Sequence, residues 1–235
     1  MKQSFIILLV LTICITSCQN TEKGNNMEKQ DQQKTVVHEP MKLDVFETIQ
    51  LIKPDVKGGK TIMEAMHLRK SHREFDQKNL SLKHLSDILW AANGINREDG
   101  KRTVPSAMAM YPIKTFAVLA NGIYFYNVEK HQLEPVAAGD YRNLSGLQDF
   151  VYNAPLNLVF IADYNIYDGE RKVQEDRRLY LASLDAAHCC QNVYLYCASE
   201  GLKTVERAGA KAEELIKVLQ LDKNHQFIVA QTIGY

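Results

Sequence analysis

The segment that most limits the folds open to this chain is residues 170–200, which reads as one long helix ended by Gly201. Between positions 179 and 198 it is apolar nearly all round, so it predicts a helix running through the middle of the protein or of a dimer. Shorter signals surround it. Residues 61–69 carry Ile62, Ala65, Met66 and Arg69 at helical spacing. Ser81 is placed to cap a second helix with the stripe Leu82, Leu85, Ile88 and Leu89, stopped by Gly94. Residues 115–119 and 123–126 flank Asn121-Gly122, a hairpin signal because both turn residues tolerate positive φ. A short helix over 147–152, an apolar strand over 156–162, a helix over 211–219 and a closing strand over 227–233 complete the pattern. Strands and helices mix without a regular βαβ repeat. The expected fold is an α+β sandwich, with helices covering a mainly antiparallel central sheet.

The 28 Lys and Arg residues balance 28 Asp and Glu residues. That neutrality excludes a general attraction for nucleic acid or anionic membrane. A hydrophobic share of 46% excludes wholesale disorder, and 235 residues suffice for a substantial core.

Residues 1–17 open with one Lys and run apolar from Phe5 to Ile15, too short to span a bilayer as a helix. They read as a signal peptide. Ile15-Thr16-Ser17-Cys18 resembles a bacterial lipobox, which makes Cys18 the expected lipidation site and the lipid anchor the only expected membrane contact. Gln19 in place of Asp after the cysteine favours the outer membrane, so the domain is expected to be exported and held at the cell envelope. Residues 18–40 are Asn-, Gln-, Lys- and Glu-rich and read as a flexible polar tether. One domain follows, residues 41–235.

Few constellations carry chemistry. His188, Cys189, Cys190 and Cys197 invite a metal, but on a helix Cys189 and Cys190 point about 100° apart. Small buried residues lining a central helix are the better reading, and no metal is expected. There is no GxSxG, GxGxxG or GxxxxGK[ST] motif, and no spacing nominates an acid–base pair. Arg69-Lys70-Ser71-His72-Arg73 differs. In an extended segment Arg69, Ser71 and Arg73 share one face, an arrangement suited to a phosphate, although a solvated charge cluster has the same composition.

Arg-x-Ser-x-Arg after a first helix resembles the flavin phosphate clamp of the FMN-dependent nitroreductase family. The similarity continues in order through Leu80-Ser81-Leu82, residues 89–96, Asp185-Ala186-Ala187-His188 with Gln191-Asn192, Glu200-Gly201-Leu202 and the closing Thr232-Ile233-Gly234-Tyr235. Residues 102–107 with Tyr111-Pro112 resemble the azoline-dehydrogenase-like branch, known from thiazole and oxazole formation in peptides. The branch usually has Gly at the position of Met108, many nitroreductases have Asn at that of Ala109, and most continue past Tyr235 with basic residues.

This resemblance implies a homodimer holding two FMN molecules at its interface. Arg69, Ser71 and Arg73 would hold the phosphate and ribityl chain. Pro105, Ser106 and Ala107 of the partner subunit would approach the flavin, and the backbone at Ala208 and Gly209 would reach its N5 and O4. A ping-pong oxidoreductase is implied, in which the flavin carries the chemistry and no dedicated catalytic acid or base is needed. A small molecule or a peptide would be the substrate. NAD(P)H is scarce outside the cytoplasm, so either an anchored enzyme uses another donor, such as a quinol or the substrate being oxidised, or residues 15–18 are not a lipobox. Two alternatives compete: a degenerate member that binds flavin or another ligand without turnover, and a structural surface lipoprotein.

Overall fold

The computed structural model describes residues 39–169 and 172–235. The expected signal segment, Cys18 and the tether before Glu39 lie outside the described residues. Pro40 bridges to Ser81, and the Met41 N–H donates to the Leu80 carbonyl, so the folded body is fastened from Pro40 onward.

Capping chemistry sets the first two helices. Thr61 and Glu64 form a reciprocal capping box at the start of α1 (Ile62–Leu68). The Ser81 hydroxyl accepts from the His84 N–H at the start of α2 (Leu82–Asn93), and Gly94 closes that helix. Leu85, Ile88, Leu89 and Ala92 on α2 are fully buried. Each of the three large side chains contributes about 1.5–3 kcal/mol by leaving water. The remaining helices are α3 (Phe150–Asn153), α4 (Glu175–Glu200) and α5 (Ala212–Val218). In α4 the described helix begins at Glu175, where Glu175 and Asp176 face the positive end of the helix dipole, and it ends on Gly201 at φ 73°.

Seven strands form one sheet: β1 (Ile49–Gln50), β2 (Ile113–Leu119), β3 (Gly122–Asn127), β4 (Gln132–Ala138), β5 (Leu156–Asp163), β6 (Lys203–Arg207) and β7 (His225–Gly234). Their spatial order is β1–β4–β3–β2–β5–β7–β6, and every pairing is antiparallel. On the central strands the side chains alternate between two cores. Ile113, Ala117, Leu158 and Phe160 pack toward α2 and α4, while Phe116, Val118, Val159 and Ile161 pack toward α5. The architecture is therefore the expected α+β sandwich.

The hairpin differs from expectation. Leu119 pairs directly with Gly122, so Ala120 and Asn121 make the turn, and neither has positive φ. Gly122 is instead required by contact: a Cβ there would fall on the Phe46 ring. On α4 one face is buried through Ala182, Ala186, Cys189, Cys190, Val193 and Cys197. Its outer side leaves Leu179, Tyr180 and Leu184 exposed, and α1 likewise exposes Ile62, Met63 and Met66.

Candidate functional site

The stretch after α1 is extended, and the His72 N–H donates to the Thr204 carbonyl, pinning it beside β6. Side chains alternate along it. Lys70 and His72 line a small cavity with Lys60 and Lys203, whereas Arg69, Ser71 and Arg73 leave that lining. The Arg69 guanidinium lies 5.4 Å from the centre of the Tyr194 ring, and Ser71 Oγ is 2.8 Å from the Tyr194 hydroxyl. That hydroxyl also accepts the Glu206 N–H at 2.9 Å. Either hydroxyl can donate in the Ser71–Tyr194 bond, and where the phenol donates the serine proton is available to a ligand oxygen. Neither Arg69 nor Arg73 is in an ion pair among the described residues.

Arg73 opens onto a cleft of about 700 Å³, walled by Phe75, Leu147, Gln148, Phe150 and Asn153, with the exposed carboxylates Glu74 and Asp149 at its rim. That volume lies in the range of cofactor sites. Across the cleft wall comes the loop after β6. A Cβ on Gly209 would lie 3.3 Å from Leu147 Cδ1, so Gly209 borders the same wall. The N–H groups of Ala208 and Gly209 find no protein acceptor among the described residues. Five of the eight expected cofactor-binding positions therefore sit around one region: Arg69, Ser71, Arg73, Ala208 and Gly209.

Pro105, Ser106 and Ala107 lie elsewhere in the chain. Ser106 Oγ donates to Asp185 at 2.6 Å and accepts the Tyr111 N–H at 2.9 Å. Asp185 precedes Tyr194 by nine residues on α4, about 13–14 Å along the helix. Burial holds the Asp185 carboxyl above the usual carboxylate range, with the Ser106 hydroxyl, His188 and Arg102 pulling the other way. Met108, Ala109 and Tyr111 all have positive φ, between 49° and 55°, in this one loop. Non-glycine residues held there store strain, a common property of loops that contact ligands. Arg102 braces the loop: its guanidinium lies 4.7 Å from the Tyr111 ring and donates to Asn93 Oδ1.

The three cysteines Cys189, Cys190 and Cys197 are free and buried, and burial raises all three thiol pKa values. No group of three His, Cys, Asp or Glu side chains among the described residues could hold a metal.

The sequence reading missed Tyr194, Leu147 and Arg207. Tyr194 has the clearest signal in retrospect, since a tyrosine on the buried face of a long helix needs a partner for its hydroxyl.

An α+β sandwich with two arginines in no ion pair among the described residues, one of them opening onto a large cleft, is compatible with an anionic ligand. The chain belongs to the nitroreductase family, an oxidoreductase family whose members typically use flavin: the family model matches residues 67–235. A nitroreductase-like protein of Methanocaldococcus jannaschii is 31% identical over 185 residues, covering 74% of this chain and 91% of that protein. The crystal structure of a nitroreductase-like protein from Ralstonia eutropha JMP134 superposes with a TM-score of 0.76 at 38% identity, covering 86% of this chain and 95% of that one. The trifolitoxin operon protein TfxC of Rhizobium leguminosarum bv. trifolii is 30% identical over 114 residues, 39% of this chain and 32% of TfxC.

Proposed function

We propose that this chain is an FMN-dependent oxidoreductase working as a homodimer. The observation that carries the reading is the region around Arg73: two guanidiniums in no ion pair and two backbone N–H groups with no protein acceptor among the described residues, together with a serine hydroxyl held by Tyr194, near a cleft that Arg73 lines. This donor set fits a phosphate-bearing ring cofactor.

Bound there, FMN would supply the electron relay, accepting from a donor and passing to a small organic acceptor in a ping-pong cycle. The chain's own part is positioning. Arg69 and Arg73 offset the phosphate charge, and Tyr194 fixes Ser71 toward a ligand oxygen. The Ala208 and Gly209 N–H groups offer donors to the polar edge of a ring. Leu147 and Phe150 give the cleft an apolar wall that excludes water from one side.

The second subunit is inferred from exposed apolar side chains on α1, Ile62, Met63 and Met66, and from a separate set near the N-terminal end of α4, Leu179, Tyr180 and Leu184. A second copy laid on the α4 set would also bring its Pro105–Ala107 loop, held by Asp185 at the same end of α4, toward a neighbouring cleft. The similarity to TfxC favours a peptide or azoline-type substrate over a nitro compound. The lipobox-like Cys18 favours an envelope location and a donor other than NAD(P)H.

The test is the visible spectrum of the purified full chain mixed with FMN, recorded for wild type and for Arg69→Ala/Arg73→Ala. A perturbed flavin band in the wild type, lost in the folded double variant, supports the reading. A wild type that stays colourless overturns it. Flavin retained with no turnover across quinol, NADPH and azoline-peptide donors would leave a binding protein. Sedimentation equilibrium reads the dimer directly.

A further inference from the structure

The C-terminal residue of β6, Arg207, is only 6% exposed, yet no carboxylate accepts from it among the described residues. Its partners are neutral. Nη1 donates to the Ser145 carbonyl at 2.5 Å, Nε to Thr232 Oγ1 at 3.0 Å, and Nη2 to Asn157 Oδ1 at 3.1 Å. Thr232 in turn donates to Asn157 Oδ1 at 2.6 Å, and the Asn157 amide donates to the Val151 carbonyl at 3.0 Å. One buried network thus holds both ends of the segment 145–151, which carries the cleft residues Leu147, Gln148 and Phe150. The guanidinium packs so close to Gly146 that a Cβ there would overlap Nη1.

Burying a cation among neutral acceptors is costly, and a chain that needed only to tie this loop could use an amide. The guanidinium stands directly behind both walls that meet at the cleft, the 145–147 turn and the Ala208–Gly209 loop that continues its own strand. Glu74 and Asp149 on the cleft rim carry opposite charge, but Glu74 and Asp149 are exposed and water screens them, whereas the charge of Arg207 acts through protein.

We propose that Arg207 is a fixed positive charge set behind the cleft wall, which favours the more negatively charged state of the cleft's occupant. This rests on the FMN reading: uptake of two electrons and one proton leaves the ring one charge more negative than its oxidised form, and Arg207 would stabilise that reduced form. Arg207 is a positioning residue in its hydrogen bonds and an electrostatic one in its charge, and the two roles separate by mutation.

The experiment titrates the full-length protein carrying FMN with dithionite, which supplies the electrons, against a reference dye of known potential. Asn157→Asp places a carboxylate on Nη2 and cancels the charge in the same shape, but gives up the amide's donation to the Val151 carbonyl, so Arg207→Lys, which breaks the network and keeps the charge, is its control. Arg207→Gln removes the charge, and Arg207→Lys keeps it while breaking the network. The expected result is a shift of at least tenfold toward oxidised flavin in Asn157→Asp and Arg207→Gln, about 30 mV for a two-electron couple, with Arg207→Lys within twofold of wild type. Asn157→Asp is the decisive variant should Arg207→Gln fail to fold. An unshifted Asn157→Asp overturns the proposal, as does Arg207→Lys shifting as far as Arg207→Gln. In both cases a wild type that still binds FMN leaves the cofactor reading standing. A wild type that takes up no FMN removes both.

Discussion

Removing one hydroxyl should loosen the whole loop that carries Pro105–Ala107. Ser106 Oγ makes two bonds, a donation to the buried Asp185 carboxylate at 2.6 Å and an acceptance from the Tyr111 N–H at 2.9 Å. A hydrogen bond to a charged group contributes about 1.5–3 kcal/mol and a neutral one about 0.5–1.5 kcal/mol, so Ser106→Ala should cost about 2–4.5 kcal/mol. That is a large part of the 5–15 kcal/mol typical of a whole domain. The loop cannot simply relax to recover the loss. Its left-handed residues Met108, Ala109 and Tyr111 are also held by Arg102, whose N–H donates to the Tyr111 hydroxyl, and by the Ala109 N–H bond to the Ser106 carbonyl. Part of the stored strain can be released by glycine. A left-handed L-residue costs about 1–2 kcal/mol, and glycine returns about 0.5–1 kcal/mol of that as chain entropy. Ala109→Gly should therefore recover up to about 1 kcal/mol in the Ser106→Ala background. Urea unfolding followed by the fluorescence of Trp90 gives both numbers, provided the slope m stays constant across the variants. A Ser106→Ala loss below about 0.5 kcal/mol would show that Arg102 and Tyr111 hold the loop without the serine, and the reasoning would fail.

Three further variants test neighbouring claims. Gly146→Ala forces a methyl into Arg207 Nη1 and Val151 Cγ2, and should cost about 1–3 kcal/mol by thermal unfolding; an unchanged Tm would mean that the 145–151 turn yields easily. Tyr194→Phe leaves the Glu206 N–H without its acceptor and frees Ser71, so stability should fall by about 1 kcal/mol and FMN affinity, read by fluorescence quenching, should fall with it. Asp185→Asn tests a pH effect. Burial raises the folded-state pKa of Asp185 above its ordinary value of 3.8, so the wild type has this group's full stability below pH 3.8 and loses it as pH rises through the folded pKa. The variant has no such loss, and its stability relative to wild type should improve as pH rises above 3.8; a difference that stays constant with pH would contradict the burial.

What was legible in this sequence was whatever depends on near neighbours. Helix ends are legible at Ser81, Gly94 and Gly201, because caps act within three or four residues, whereas the cap role of Thr61 is a finding of the structure. The alternation of Arg69, Ser71 and Arg73 was legible for the same reason, since the period of an extended chain is two. The edge strand β6 and its counterpart near the other edge, β4, are not legible locally. QLEPVAA carries a proline and KTVER three charged residues, and both become strands only because a neighbour supplies the hydrogen-bonding edge. Gly122 shows the limit from the other side: its dipeptide suggested a turn, yet the reason for glycine is Phe46, 76 positions earlier in the chain. Arg207 is the extreme case. In the sequence it is one more charge in a polar run, and nothing local separates it from the exposed Glu206 beside it. Its meaning comes from Ser145, Asn157 and Thr232, brought from three separate elements to surround it. A site assembled in this way has a short local part that sequence motifs record, the arginine clamp, and a longer-range part that sets its charge and the position of its walls. On the proposed reading, two family members can share the clamp and differ in the potential of what it holds, with the difference written in residues such as Arg207 and Asn157 behind the cleft wall.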